Sequence, residues 1–261
     1  MITSFTKADG ILRVPQNLEG INAGQEVEIE LLRDISEIEN SLIVTGSHDP
    51  IIDEITDIMK RTGKGFSLTS THVGSMGAIT ALKTEAAHLG AVHLLDSETG
   101  EYNVSFVKKY FPDGGVRLVK GVRRVQGLMV QKGNPLGIKD FSDIARCTYI
   151  NRQGGSGTRI LCDYLLKKHG IDKDSLKGYY NEEFTHTAVA AGIKNGNGDA
   201  GLGIYSAAKM YDLDFIPICD EEYDFLVSEK ALENENVRLF FDILGSNEFR
   251  KRAEALGGYG L

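Results

Sequence analysis

Asn151–Arg159 reads N-R-Q-G-G-S-G-T-R, between the apolar run Cys147–Ile150 and the helical pattern I-L-C-D-Y-L-L-K-K-H-G. Glycines, hydroxyls and arginines are concentrated where a strand feeds a helix. The first N–H groups of a helix have no intrahelical partner and lie at the positive end of its dipole. Glycine lets a ligand approach that backbone closely, and Ser or Thr adds a neutral donor. Capping alone requires neither this density of glycine nor an arginine. The stretch therefore predicts an anion site on Gly155, Ser156, Gly157, Thr158 and Arg159, with Arg152 beside it.

Three sister junctions have related composition: T-G-S-H-D-P (Thr45–Pro50), S-T-H-V-G-S-M-G (Ser70–Gly77) and N-G-N-G-D-A-G-L-G-I-Y (Asn195–Tyr205). They add Ser47, His48, Ser70, Thr71, Ser75, Asp199 and Tyr205 as candidate ligand-binding residues. For Ser47 and Ser75 the ordinary reading is an N-cap, and Asp49, Asp199 and Glu221 read as acids that cap or solvate helices. His48 and His72 are loop histidines at junctions; a histidine there is commonly structural or solvated. No catalytic residue is assigned, because no nucleophile, base and orienting acid assemble from the sequence. No metal site is assigned either: His88 and His93 fit no zinc spacing and lie away from the cysteines. A nucleotide P-loop motif does not occur, and G-G-S-G-T lacks the final glycine of the G-x-S-x-G pattern.

The surrounding chain alternates strands and helices from about residue 41. S-L-I-V-T-G-S is a strand followed by a helix from Pro50 to Arg61. G-F-S-L-T-S precedes a helix over 75–87, and A-V-H-L-L-D precedes a short helix over 106–111. Two β-rich stretches follow, V-R-L-V-K-G-V-R-R and V-Q-G-L-M-V-Q-K. A second series then opens: a helix over 141–145, the strand C-T-Y-I, helices over 157–168 and 187–194, the strand D-A-G-L-G-I-Y and a helix over 207–211. The strands D-F-I-P-I and Y-D-F-L-V-S and helices over 234–244 and 248–256 close the chain. Such alternation implies a mostly parallel sheet flanked by helices. The two series predict two similar α/β lobes, joined by crossovers near 120–131 and 223–228, with ligand in the cleft between them.

Residues 1–33 follow a different grammar of short alternating segments and turns. Val27, Ile29 and Leu31 alternate with Glu26, Glu28 and Glu30, which predicts a half-buried strand in a small module of three strands. Hydrophobic residues are 41% and charged residues 25%, enough to bury a real core. The formal net charge of -8 argues against direct nucleic-acid binding but not against a small anion at a helix terminus. The three cysteines, odd in number and without C-x-x-C spacing, suggest reduced thiols and a cytoplasmic setting. No signal peptide and no membrane-spanning apolar run is visible, so no membrane partner is expected.

The motifs G-S-H-D-P, S-T-H-V-G-S-M-G-A, G-L-M-V-Q-K-G-N-P-L, N-R-Q-G-G-S-G-T-R and G-N-G-D-A-G-L-G-I, in this order over about residues 44–228, resemble the type 2 periplasmic-binding-protein fold. Within it they look most like the binding-protein-like domain fused to molybdopterin biosynthesis proteins and to some DNA-binding regulators. Residues 1–33 resemble the end of the C-terminal β domain of molybdopterin molybdotransferase. The resemblance implies an α/β, two-lobed fold with a small N-terminal β segment (1–38) before the binding domain (39–261). Lobe 1 would comprise about 39–122 plus 228–261, and lobe 2 about 128–222. It further implies a ligand-binding module of molybdenum-cofactor biosynthesis, fused to or associated with molybdotransferase domains. The expected ligand is a small anion, molybdate or tungstate first and a molybdopterin-related compound next, with no tightly bound cofactor. The alternatives are part of a molybdotransferase acting with an N-terminal region absent from this sequence, or a LysR-like effector-sensing domain.

Overall fold

The computed structural model describes residues 8–62 and 66–260. The strand expected over the first residues, and Gly65 at the start of G-F-S-L-T-S, lie outside them. The short strands β1 (Gly10–Leu12) and β2 (Ile29–Leu31) pair antiparallel and lead through a one-turn helix, α1 (Ile35–Glu39), into the main body. The expected half-burial of β2 is corrected: Ile29 is 53% and Leu31 48% exposed. Its alternation records a face that the described residues leave uncovered.

The first βα series is β3 (Ser41–Gly46), α2 (Pro50–Arg61), β4 (Ser67–His72), α3 (Gly74–Lys83), β5 (Leu89–Val92) and α4 (Val104–Tyr110). Helix α2 begins where Asp49 accepts from the Ile51 N–H and Pro50 supplies a preset φ. Its Ile51, Ile52, Ile55, Ile58 and Met59 recur at helical spacing and are buried, while Lys60 and Arg61 complement the dipole at its end. The second series is β7 (Asn151–Arg152), α5 (Gly157–His169), β8 (Glu182–Glu183), α6 (His186–Lys194), β9 (Ala200–Ile204) and α7 (Tyr205–Met210). C-T-Y-I is not the expected strand. Tyr149 makes one parallel bridge to Ala200, and the regular pairing falls just after it, between β7 and β8. Residues Phe141–Arg146 form a 3₁₀ helix.

Between and after these series run two 15-residue strands, β6 (Val116–Val130) and β10 (Asp214–Ser228), paired antiparallel along their length. The sequence reading gives each as two segments, V-R-L-V-K-G-V-R-R and V-Q-G-L-M-V-Q-K for β6 and D-F-I-P-I and Y-D-F-L-V-S for β10, and takes neither Gly121 nor Pro217 as a break. Gly121 sits where a Cβ would collide with the Tyr223 carbonyl oxygen of the neighbouring strand. Pro217 sits at one of two register shifts, Pro217/Cys219 and Tyr223/Phe225. At one end of this ribbon β5, β3 and β4 extend the sheet, β3 being parallel to both neighbours; at the other end β9 adds to β6. The chain closes with α8 (Glu235–Leu244), α9 (Asn247–Leu256) and β11 (Tyr259–Gly260), the last of which pairs with β6 at Arg123 and Arg124.

The apolar core follows this plan. In lobe 1, α2, α8 and α9 cover one sheet face through Ile55, Phe240 and Phe249, while α3 and α4 cover the other through Ile79, Leu82 and Phe106. In lobe 2, α5 packs through Leu161 and Leu165, and α6 and α7 through Val189 and Ala207. The lobes touch along a seam at the glycine-rich loop, and again where Ser206 Oγ meets the Tyr259 hydroxyl at 3.1 Å and Lys209 Nζ donates to the Ala255 carbonyl at 2.7 Å. The Met76 N–H at the start of α3 donates to the Gly155 carbonyl at 3.4 Å. The Gly157 backbone lies so close to His93 that a Cβ there would sit 2.6 Å from the ring Nδ1 and collide with the carbonyl oxygen.

Alanine is a better helix former than glycine, so Gly157→Ala acts on the lobe contact and not on α5. The variant is expected to show a larger radius of gyration in small-angle scattering, with near-native circular dichroism. An unchanged radius would show that the close approach of Gly157 to His93 does not set the spacing of the lobes.

Candidate ligand site

The polar centre of the molecule is hidden in strand alternation. Val122, Arg124, Gln126, Leu128 and Val130 share one face of β6, and all are buried. Arg124 and Gln126 therefore occupy positions where the pattern calls for apolar side chains. On β10, Glu221 shares its face with the buried Tyr223 and Phe225 and is the register partner of Arg124. Glu221 is a buried strand residue, a correction to its reading as a helix-capping or solvated acid.

Arg124 donates through Nε to Glu221 and through Nη1 to Asp49, and its guanidinium lies 4.3 Å from the Tyr223 ring centre. Glu221 Oε1 also accepts from Gln126 Nε2 at 2.8 Å, and Oε2 accepts from His93 Nδ1 at 2.8 Å. Across the His93 ring, Nε2 meets Ser47 Oγ at 2.7 Å. The Tyr223 hydroxyl donates to the Ser47 carbonyl and the Tyr259 hydroxyl to Asp49, both in regular geometry. Burial pushes the Glu221 carboxyl up, but Arg124, His93 and Gln126 together hold it down at about 2. Burial pushes the Arg124 guanidinium down, and Glu221 and Asp49 more than compensate, raising it.

Arg152 is the opposite case. It is 1% exposed, yet its partners are neutral: Gln153 Oε1 and the carbonyls of Glu183 and Phe184. Its Nη1 has no hydrogen-bond partner in the protein. Burial and the Arg124 charge push its guanidinium down to about 9, with only Glu221 opposing. The same charge bears on His48, His93 and His186, so these groups form one electrostatic neighbourhood. Gln153 Nε2, His48 Nδ1, Arg124 Nη2 and both His186 ring nitrogens are likewise buried and unpartnered. Burial, then Arg152 and Arg124, drive His186 far below its ordinary value, so the ring is neutral.

The structure brings some of the residues expected from sequence into this neighbourhood. Ser47 and Ser75 flank His93, Ser75 Oγ accepting from its backbone N–H at 3.1 Å; neither caps a helix, since Asp49 caps α2 and α3 has no side-chain cap. His48 stacks edge-on against His72 at 4.4 Å, and His72 meets Ser70 Oγ at 2.9 Å. Ser156 caps α5 by accepting from the Arg159 N–H, and Thr158 Oγ1 accepts from Gln126 Nε2 at 3.1 Å. Gly155 and Gly157 form the seam described above.

Other candidates stand elsewhere. Arg159 lies over the Tyr179 ring at 4.0 Å, pairs with Glu182 at 2.7 Å and Asp163 at 3.4 Å, and donates to the Arg152 carbonyl. It braces the loop that carries Arg152. Thr71 is exposed on the edge strand β4 beside Thr45. Asp199 accepts from the Thr148 N–H at 2.7 Å, and Tyr205 packs on Gly257, Gly258 and Phe215. Sequence reasoning passed over Arg124, Gln126, Gln153 and His186, and considered His93 only as a zinc ligand and Glu221 only as a capping or solvated acid. For Arg124 and Gln126, the missed signal was their parity with Val122, Leu128 and Val130.

Comparison with known proteins accords with this plan. Residues 56–245, most of the chain, match the PBP superfamily domain, and residues 1–32 match the MoeA C-terminal region (domain IV). The chain belongs to the PBP superfamily. It is 35% identical over 188 residues to the Bacillus subtilis protein YvgK, spanning 71% of this chain and 60% of that one. It is 34% identical over 103 residues to a Clostridium pasteurianum protein from the 5′ region of a 2Fe-2S ferredoxin gene. That match covers 39% of this chain and 91% of the other.

Among solved structures, a Clostridium perfringens phosphate transporter substrate-binding protein with bound phosphate superposes with a TM-score of 0.60 at 14% identity. That superposition covers 83% of this chain and 97% of the other. The effector-binding domain of QuiR in complex with shikimate gives 0.54 at 14% identity, covering 78% and 94%. These likenesses establish the two-lobed fold.

Glu221 yields an acid signature with a definite sign. Its folded value lies below the ordinary carboxylate range, so its contribution is complete above about pH 4.5 and is lost as pH falls toward about 2. Glu221→Gln is expected to cost about 3–5 kcal/mol at neutral pH, by leaving Arg124 under-compensated. Urea midpoints measured at pH 7 and pH 3 should show the gap between wild type and variant narrowing at the lower pH. A gap independent of pH would remove Glu221 from the charged network.

Proposed function

We propose that this chain is a binding module whose lobes close on a small anion, with Arg152 as its charge partner. The carrying observation is a buried guanidinium held by carbonyls and an amide, with one N–H pair unpartnered. A buried charge without a counter-charge is costly, and an anion placed on it recovers that cost together with charge-assisted hydrogen bonds. His186, Gln153 and His48 supply further donors in the same neighbourhood. The phosphate and shikimate complexes of the structural relatives support an anionic ligand.

The match of residues 1–32 to the MoeA C-terminal region supports a role in molybdenum-cofactor biosynthesis, associated with molybdotransferase domains in the cytoplasm. On that reading the ligand classes are a molybdate- or tungstate-type oxyanion and an organic anion, including a pterin-related one. Effector sensing is the second reading, supported by the shikimate-bound effector domain. The two readings share the site and differ in what lobe closure is coupled to.

A ligand that binds only the folded state, present at about 100 times its Kd, stabilises by about 2.7 kcal/mol. Thermal-shift titration with phosphate, sulfate, molybdate, tungstate and small carboxylic acids should reveal such a response with at least one of them. Arg152→Leu is expected to abolish the response, and Arg159→Leu to weaken it at most severalfold. An equal response in wild type and Arg152→Leu would refute the assignment.

A further inference from the structure

The nucleophile, base and orienting acid that do not assemble in the sequence are brought together by the fold. Ser47 Oγ lies 2.7 Å from His93 Nε2, and His93 Nδ1 lies 2.8 Å from Glu221 Oε2. The hydrogens follow by elimination. Arg124, Gln126 and His93 all point at Glu221, whose carboxyl is held ionised, and an ionised carboxylate only accepts. His93 Nδ1 therefore carries the proton, and Nε2 presents a lone pair to the Ser47 hydroxyl. Burial, the largest influence on His93, keeps the ring neutral and able to take a proton. Hydroxyl, imidazole and carboxylate, each within hydrogen-bond reach of the next, are the order of groups that activates a serine.

The backbone around Ser47 fits the same role. β3 ends at Gly46, whose φ of 138° a side chain would strain, and where a Cβ would collide with the Ala91 carbonyl oxygen. The chain then turns into α2, which starts at Pro50. Ser47 is clamped in this turn: its N–H donates to the Ala91 carbonyl at 3.0 Å, and its carbonyl accepts from the Tyr223 hydroxyl at 2.7 Å. A serine held on a tight strand-to-helix turn stands beside the positive end of a helix dipole, which favours a developing oxyanion. His93 directly follows β5, the parallel neighbour of β3, so both groups leave the sheet at the same end.

We propose that Ser47, His93 and Glu221 form an esterase centre, with Ser47 as nucleophile, His93 as general base and Glu221 as the residue that positions His93. The substrate class is a small carboxylic ester. Ser47 Oγ bonds to the ester carbonyl carbon while its proton passes to His93 Nε2. The tetrahedral oxyanion then expels the alkoxide, which takes that proton and leaves as the alcohol. Water adds to the acyl-serine in the same way; its proton passes to Nε2 and on to Ser47 Oγ as the acid departs. Ester and water thus become acid and alcohol. Ser47 and His93 are buried, and the Gly157 backbone of lobe 2 packs against His93, so substrate enters as the lobes part along this seam. The centre uses different atoms from the Arg152 site and does not depend on it.

Diisopropyl fluorophosphate and p-nitrophenyl acetate, applied to the full chain, test the assignment. The first is expected to phosphorylate Ser47: the Oγ–P bond forms, fluoride leaves, His93 takes the proton, and mass spectrometry reads the adduct. The second should be turned over with release of nitrophenolate. Ser47→Ala is expected to lose both reactions, and His93→Ala to slow both by about 10²–10⁴-fold. His93 is faced by Glu221 and Tyr223 of β10, Arg124 of β6, Arg152 and His186. With the ring pushed below its ordinary 6.5, the wild-type rate should be level above about pH 6.5 and fall as the ring protonates. An unassisted hydroxyl would instead gain about tenfold per pH unit. In Glu221→Gln the fall should move to lower pH, because the carboxylate that raises His93 is gone. No adduct at Ser47, an adduct formed as fast in His93→Ala, or no acetate turnover above the Ser47→Ala level each overturns the proposal. An Arg152-dependent thermal shift with anions would survive any of these results, so the two readings fail separately.

Discussion

Arg124 is the constraint around which the molecule is arranged. One guanidinium joins Asp49 at the head of α2 to Glu221 on the neighbouring long strand, beneath the face of Tyr223. Burying such a group is favourable only with full compensation, and two carboxylates and an aromatic face supply it. Each of these partners then fixes something else. Asp49 starts the helix that carries much of the lobe 1 core, and Glu221 orients His93, which in turn holds Ser47.

Arg152 shows what the same chemistry does without compensation. Arg124 has two carboxylates and Arg152 none, although the two are close enough for each charge to be felt by a shared set of histidines. The difference converts one arginine into a fixed part of the scaffold and leaves the other available. Fully satisfied networks rigidify, whereas an unpartnered buried donor calls for an explanation, which the ligand proposed for Arg152 would supply. Arg159, the arginine most visible in the glycine-rich loop, belongs to the first kind: its bonds to Glu182, Asp163 and the Arg152 carbonyl support its neighbour.

The alternation of strands and helices was legible because it is carried by periodicity over many residues, and the glycine-rich loop because its composition exceeds what a turn requires. The two long strands were not, since each reads as two short segments and only the pairing across the ribbon makes them continuous. β2 misled for the opposite reason: alternation reports an amphipathic strand and says nothing about whether a partner is present to cover it. Among the candidate residues, those in loops were conspicuous. Arg124, Gln126 and Glu221 were not, because a polar residue inside an apolar strand has meaning only once its cross-strand neighbour is known. Ser47 was found for its hydroxyl, but its partner His93 lies 46 positions away along the chain and Glu221, which orients His93, a further 128.

The two register shifts in the ribbon have a mechanical consequence. Pro217/Cys219 and Tyr223/Phe225 bracket the segment in which Glu221 faces Arg124. A skipped residue bends a strand and adds to its local twist. The ribbon shared by both lobes therefore turns between the two shifts, and the bend and the buried charge network are the same few residues.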